Sequence, residues 1–527
     1  MAFLQKHCNV CGKKVTSQNA LVAGHEKIHT LSCGHFYTEE LLTSQAYQAE
    51  NIETLDHKKL FPFQVKGVEF VENANGVALI ADEMGLGKTM QSLAFIKLHS
   101  AEALPAVIIC KSAVKAQWAY EIFRLFDFHK LAQIIESGKD QFLPNMGFYI
   151  LSFDILRRFN GRLMEIFQKV GIKAIIIDEC QLIKNPQSKR SVELRNLVQL
   201  CKYKIGLSGT PIKNNASEYF SILNMLHPEL FPGYQPFLKK WVDYYWTGMA
   251  YKSGGLRHPE QFRDFTKLFI IRREREEVEL EFPDLNRNHR FHDLGDSVKK
   301  AYAEQTAQLI NYIENESGES SAERQMNILA YLGRMRHLTG LSKVDNAMDF
   351  VSEFLGSNDR LLTIFIHHKD VGKMLAHHIT FFCDEMNLAR PLSLTAENTW
   401  QERGDIADRF QNHESRILIA STLAAGEGMN LQKCSDCLII ERQWNPANEE
   451  QAESRFIRIG ATAKMVNATY LVALGTIDEY FAELVERKRS IFTQTMSGKD
   501  IPWDETSIMK ELTDKLVKMG KPKWSYN

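Results

Sequence analysis

The stretch from Val77 to His99 restricts this chain more than any other. The apolar run Val77-Ala78-Leu79-Ile80-Ala81 leads into Asp82-Glu83-Met84-Gly85-Leu86-Gly87-Lys88-Thr89, and the helical pattern MQSLAFIKLH follows at once. A strand, a glycine loop and Gly-Lys-Thr opening a helix form a phosphate cradle. Gly85 and Gly87 let backbone N–H groups turn inward, and the helix N-terminus adds unpaired donors and partial positive charge. Lys88 would reach β- and γ-phosphates, and the Thr89 hydroxyl would ligate magnesium. The strict pattern has glycine at its first position, where this chain has Asp82. The bland alternative is a glycine turn between a strand and a helix.

A second element answers the first. Asp178-Glu179 ends the apolar run Ala174-Ile175-Ile176-Ile177. A carboxylate at the carboxyl end of a strand is placed to hold magnesium, and its neighbour to polarise an attacking water. An acidic pair in this position is by itself often only the start of a solvated loop. One lobe-width downstream of a phosphate loop, it is the expected second half of a nucleotide hydrolase.

The rest of the chain supports an α/β reading. Apolar runs at 77–82, 106–110, 148–152, 174–178 and 204–208 alternate with helix-length segments, as they do again at 361–368, 391–396, 416–421, 437–442 and 467–473. Such alternation implies parallel sheets with helices on both faces. Residues 215–345 lose the rhythm and read as a helical insert. The expected division is 1–45 as a small N-terminal module, 55–275 as a first lobe with a helical protrusion, 276–345 as a helical linker, 346–495 as a second lobe and 496–527 as a basic tail. That tail carries Lys510, Lys515, Lys518, Lys521 and Lys523.

Composition excludes several classes. No apolar run approaches the ~18 residues of a membrane span, and the first residues lack the apolar stretch of a secretory signal. Nine cysteines in 527 residues are too few for a disulfide scaffold and fit a reducing compartment. Lys and Arg number 64 against 65 Asp and Glu. A wholly basic nucleic-acid coat is therefore excluded, but a locally basic groove is not.

Further motifs follow in order: Ser208-Gly209-Thr210-Pro211-Ile212, then Ser421-Thr422-Leu423-Ala424-Ala425-Gly426-Glu427-Gly428-Met429-Asn430, then Gln451 to Gly460 with Arg455 and Arg458. Together with DEMGLGKT and DECQ, this series resembles that of superfamily 2 helicase-like ATPases, and specifically the Swi/Snf-type family of double-stranded DNA translocases. The resemblance spans about 55–490. It implies two tandem RecA-like parallel-sheet lobes, ATP with magnesium as cofactor, and duplex or branched DNA as partner. The implied work is ATP-driven tracking along DNA, in fork remodelling, recombination or repair. The alternatives are a single-strand DNA or RNA helicase with true strand separation, or a non-catalytic DNA-binding scaffold. The expected location is the cytoplasm of a bacterium or phage-infected host, or the nucleus of a eukaryote.

The resemblance also assigns residues. Gln64 would read adenine with Phe63 as stacking neighbour, and Gln451 would join the nucleotide contacts. Lys111, Ser112, Gln117, Trp118 and Ser152 fall where the first lobe meets the DNA backbone; Thr422, Gly426, Gly428 and Asn430 fall where the second lobe does. Ser208, Gly209 and Thr210 would couple hydrolysis to the lobes, with Gln181 in the same relay. In DECQ, Cys180 and Gln181 stand where the family carries Ala and His. The segment 334–343 lacks the Cys-His-Pro signature of chromatin remodellers and leans toward the fork-remodelling, strand-annealing branch. On a continuous helix, Gln451, Arg455 and Arg458 would share one face at i, i+4 and i+7. The two arginines would neutralise charge on the γ-phosphate. The bland alternative is a surface helix whose arginines pair with Glu449, Glu450 and Glu453.

The N-terminal segment has chemistry of its own. Cys8-x₂-Cys11 and Cys33-x-His35 supply two close pairs of borderline-soft ligands. One tetrahedral zinc would provide the folding energy that so small a core lacks. His25 and His29 compete with His35 as fourth ligand. Cys434-x₂-Cys437 has no second pair nearby and reads as two buried structural cysteines.

Overall fold

The structure is a computed structural model. It describes residues 17–23, 26–31, 36–40, 52–55, 57–126, 132–159, 161–209, 216–246, 251–278, 280–315, 321–395, 397–426, 429, 431–443, 446–480 and 482–483. The chain separates into two compact units, the first ending at Leu280 and the second beginning at Glu281.

The N-terminal segment forms an antiparallel meander of β1 (Ser17–Ala23), β2 (Glu26–Leu31) and β3 (Phe36–Glu40). The expected zinc ligands Cys8, Cys11, Cys33 and His35 all lie outside the described residues. So does the basic tail.

The first unit is built on a seven-stranded sheet. Its strands are β4 (Val77–Ile80), β5 (Ala106–Cys110), β6 (Ala132–Ile134), β7 (Phe148–Ser152), β8 (Ala174–Ile177) and β9 (Tyr203–Leu207); β12 (Ile270–Ile271) completes it after the hairpin β10 (Val242–Trp246) and β11 (Tyr251–Leu256). The order is β12-β4-β9-β8-β5-β7-β6, and every pairing is parallel. β5, β7 and β8 are buried along their whole length. Continuous Val/Ile runs, rather than alternation, are what a sheet covered by helices on both faces requires. The five strands read from sequence match β4, β5, β7, β8 and β9 to within two residues at either end. Between β9 and β12, an aromatic cluster that includes Phe220, Phe237, Trp241, Phe262 and Phe265 forms a separate small core under the hairpin.

The second unit carries a six-stranded sheet of β13 (Asp284–His292), β14 (Leu362–Ile366), β15 (Leu392–Leu394), β16 (Ile417–Ser421), β17 (Asp436–Ile439) and β18 (Met465–Ala473). Its order is β13-β18-β17-β14-β16-β15, again all parallel. The segment 276–345 is therefore not wholly helical. It opens with β13, paired residue for residue with β18 from Asp284↔Met465 to His292↔Ala473. The long helices Asp296–Asn315 and Ser321–Ser342 follow, packing through Tyr302, Leu309, Leu332 and Met335. Cys434 and Cys437 are free and buried, as expected of structural thiols. Among the described residues, no helix is long and apolar enough to cross a membrane.

Candidate functional site

In an open parallel sheet, chemistry gathers at the carboxyl ends of the strands. At that edge of the first unit, β4 runs into the glycine loop, β8 into Asp178-Glu179 and β9 into Ser208-Gly209. Gly85 and Gly87 take φ of 92° and 69°, a region that costs any other L-residue ~1–2 kcal/mol. Gly87 caps the helix Lys88–Leu98, so the donors of that first turn face the loop. Lys88 Nζ donates to the carbonyls of Asp82 (2.7 Å) and Glu83 (3.0 Å), and the ammonium lies folded over its own loop. Burial lowers its pKa, opposed by Glu179, Asp82 and Asp178 in that order.

The acid pair is electrostatically strained. Burial, reinforced by the charge of Glu179, raises the Asp178 carboxyl to about 6. The indole N–H of Trp118 donates to Asp178 Oδ2 at 3.0 Å and relieves part of this. Glu179 itself has φ 52° and ψ 46°, left-handed backbone that a non-glycine residue adopts only where its surroundings enforce it. Two adjoining carboxylates, one pushed toward its neutral form, are a donor set suited to a divalent cation. Thr89 opens the neighbouring helix and would supply a hydroxyl ligand.

A relay leads away from the pair. Gln181 donates to Glu179, and the Ser208 hydroxyl donates to Gln181 Oε1 at 2.7 Å, with both residues buried. A Cβ on Gly209 would stand 2.6 Å from Met84 Cγ and 3.6 Å from Lys88 Nζ. Gly209 is thus the gap through which β9 approaches the phosphate loop. Thr210 lies outside the described residues.

In the second unit, Thr422 starts a short helix after β16. Its hydroxyl donates to the Ile366 carbonyl at 3.2 Å. The Arg455 guanidinium donates to the carbonyl of Gly426, and a Cβ on Gly426 would lie 3.8 Å from Gln451 Cγ. The structure therefore assembles Thr422, Gly426, Gln451 and Arg455 within one unit. Gly428 and Asn430 lie outside the described residues.

The model of the SNF2-related domain matches residues 63–340, more than half of the chain. The chain belongs to this SNF2-related family. The helicase conserved C-terminal domain matches residues 343–460. Among curated relatives, the DNA annealing helicase and endonuclease ZRANB3 of Mus musculus is 24% identical over 482 residues, covering 89% of this chain and 44% of that protein. The SWI/SNF-related matrix-associated actin-dependent regulator of chromatin subfamily A-like protein 1 of Xenopus laevis is 26% identical over 477 residues, covering 89% and 47%. The putative ATP-dependent helicase/translocase YwqA of Bacillus subtilis is 26% identical over 475 residues, covering 84% and 49%. The chain spans less than half the length of each of these relatives.

Several SNF2-related positions read from sequence need correction. Trp118 is 2% exposed and bonded to Asp178, so its indole serves the acid pair and not a DNA backbone. Ser152 and Thr422 are buried too, and their side chains offer no surface contact. Lys111 and Gln117 are half-buried and Ser112 is exposed; Gln117 donates to Glu121 Oε1 at 2.7 Å. Gln64 is buried, and its Oε1 accepts from the Phe61 backbone at 3.1 Å. Phe63 is buried under the Arg273 guanidinium, whose centre is 5.3 Å from the ring centroid, so it is not an open stacking face. The helix bearing Gln451 ends at Glu453, and Arg455 and Phe456 continue in tight turns bonded to Ala452 and Glu453. The shared helical face for Gln451, Arg455 and Arg458 therefore does not exist. The surface-helix alternative fails as well. Arg455 is buried, Glu449 bonds Arg442, and Glu453 bonds Arg287 and Tyr470.

Sequence reasoning missed Arg273 and Arg275. Arg273 donates to both carboxylate oxygens of Asp82, to Gln91 Oε1 and to the Phe63 carbonyl. Arg275 donates to the Met84 carbonyl and pairs with Glu83. The available signal was Asp82 itself: a carboxylate starting a buried loop requires a cation.

Proposed function

We propose that this chain is an ATP-driven motor that hydrolyses ATP and tracks along duplex or branched DNA. One observation carries the reading: Lys88 stands over a glycine loop beside an acid pair whose Asp178 is forced toward neutrality. That charge pattern becomes favourable when magnesium and a polyphosphate enter together. Family membership, the DNA annealing helicase printed for one relative and the ATP-dependent helicase/translocase printed for another point the same way.

In this reading Lys88 leaves its loop carbonyls for the β- and γ-phosphates. Thr89 and Asp178 would hold magnesium, which supplies positive charge along the phosphate chain. Glu179 accepts the proton of the attacking water, and Gln181 fixes the orientation of that carboxylate. Gln181 and Ser208, joined in one relay, pass the state of the site to Gly209 and the segment after it. Arg455 and Arg458 would neutralise charge on the γ-phosphate. Lys111, Ser112, Gln117, Gly428 and Asn430 would meet the DNA backbone, and Gln451 would join the nucleotide contacts. Cys8, Cys11, Cys33 and His35 would hold one zinc, which metal analysis should find at about one per chain.

The test is ATP turnover without nucleic acid and with duplex DNA, forked DNA, single-stranded DNA or RNA. Duplex or forked DNA should stimulate most, and the effect should decline steeply with salt because the contacts are to phosphates. Stimulation by single strands or RNA alone would favour a strand-separating helicase. An absence of turnover under all conditions would favour a scaffold.

A further inference from the structure

The glycine loop is held from one side by a strap that the nucleotide-site motifs do not include. Residues 269–273 run beside 79–83 in continuous register: Leu79 N donates to Phe269 O (2.7 Å), Ala81 N to Ile271 O (2.7 Å) and Glu83 N to Arg273 O (2.9 Å). The sheet edge formed by β12 thus continues past β4 into the loop. Two arginines lock it there. Asp82, fully buried, accepts from the Arg273 backbone N–H (3.1 Å), Nε (3.0 Å) and Nη2, while Gln91 Nε2 donates to its other face at 3.0 Å. Two residues on, the Arg275 backbone N–H donates to Glu83 Oε2 at 2.9 Å, and Arg275 Nη2 donates to the Met84 carbonyl at 2.8 Å.

Gly67 shows how closely this network is packed. It lies inside the helix Pro62–Asn73, where glycine is ordinarily a cost. A Cβ there would overlap Gln91 Oε1 and stand 2.8 Å from Arg273 Nη2. The helix gives up a side chain so that the network can lie against it.

We infer that Arg273 and Arg275 are positioning residues for nucleotide binding, acting through Asp82 and Glu83 on the first half of the glycine loop. This rests on the ATP-motor reading above. The carbonyls of Asp82 and Glu83 receive Lys88 Nζ, so the strap fixes where the lysine rests and where the loop's N–H groups point. It also explains the departure from the strict motif. Asp82 replaces the first glycine because the loop is pinned here by an ion pair rather than by a turn. The strap lies just before the chain passes from the first unit at Leu280 to the second at Glu281.

The test is a double-mutant cycle in the full chain, with Mg·ATP as the probe. Arg273→Gln and Asp82→Asn should each raise the KM for ATP about tenfold while kcat changes less. The double variant should be no worse than the worse single, because both remove one interaction. Gly67→Ala removes no strap atom and, in an ordinary helix, would stabilise by ~1 kcal/mol. Here it should raise KM in the same way, which keeps the test open should Arg273→Gln fail to fold. Folded single variants with wild-type KM, or single losses that multiply in the double, would overturn the inference. A wild type that neither binds nor hydrolyses ATP would instead overturn the ATP-motor reading.

Discussion

Each unit ends a central strand of its sheet in an acid, and the two acids are treated in opposite ways. After β17, Glu441 is 1% exposed. Its Oε2 accepts from the backbone N–H groups of His367 (2.8 Å) and His368 (2.9 Å), and its Oε1 meets the His368 ring. Burial pushes this carboxyl up, but the bonds and charge of His368 outweigh it and hold the pKa at about 2. After β8, burial and the charge of Glu179 outweigh the Trp118 indole, the Lys88 ammonium and the Glu179 backbone N–H, and Asp178 rises to about 6. Asp178, one residue past β8, and Glu441, two residues past β17, thus become an under-compensated anion and a satisfied structural one at the same edge of two parallel sheets. A strand-end acid is chemically useful where burial and a like-charged neighbour outweigh the donors that face it.

The two acids should impose opposite pH slopes on stability. Glu441, depressed from 4.5, contributes stability that is complete above that value and is lost as pH falls toward about 2. Asp178, raised from 3.8, opposes folding of the nucleotide-free protein progressively as pH climbs from about 4 to about 6. Urea unfolding at fixed pH values would resolve both slopes.

The largest expected effect is on chemistry. Lys88→Ala removes the cation that must answer the phosphates, and turnover should fall by ~10²–10³ or more. Near-normal turnover would mean that the under-compensated edge is not the nucleotide site. Next comes a gain. Asp178→Asn removes the strained charge, so the nucleotide-free protein should become more stable at pH 8 by roughly 1–3 kcal/mol while losing magnesium-dependent turnover. Denaturant midpoints measured at pH 8 would check it. A destabilised Asp178→Asn would place Asp178 in the same class as Glu441. The smallest effect is steric. Gly209→Ala places a methyl against Met84 and Lys88 and should slow turnover about tenfold at a cost of about 1–3 kcal/mol of stability. Wild-type kinetics would show that β9 does not press on the loop.

The sheets were legible because strands buried on both faces are written as unbroken Val/Ile runs. β13 was not, because an edge strand in which Asn286, Arg287, Asn288, His289 and Arg290 follow one another looks like a loop until β18 pairs with it. β12 has only two residues and becomes visible through its register with β4. Within the site, the loop and the acid pair were readable from local motifs, while the grouping of Gln181 with Ser208 came from the family resemblance and their hydrogen bond only from the structure. Trp118 was misread because its partner Asp178 is sixty residues away. The Arg273 strap, almost two hundred residues from Asp82, left only the odd aspartate as a trace. The arginine segment was over-read as helix because spacing alone does not show where turns replace it.

The most direct test sets the two acids side by side. ATP turnover per folded molecule should be measured with duplex DNA for Glu179→Gln, in the under-compensated pair, and for Glu441→Gln. Glu179→Gln should fold normally, bind ATP and lose ~10²–10⁴ in turnover. Glu441→Gln should instead lose about 3 kcal/mol of stability yet turn over normally in its folded fraction. Normal turnover in folded Glu179→Gln, or a catalytic loss of that size in folded Glu441→Gln, would contradict it.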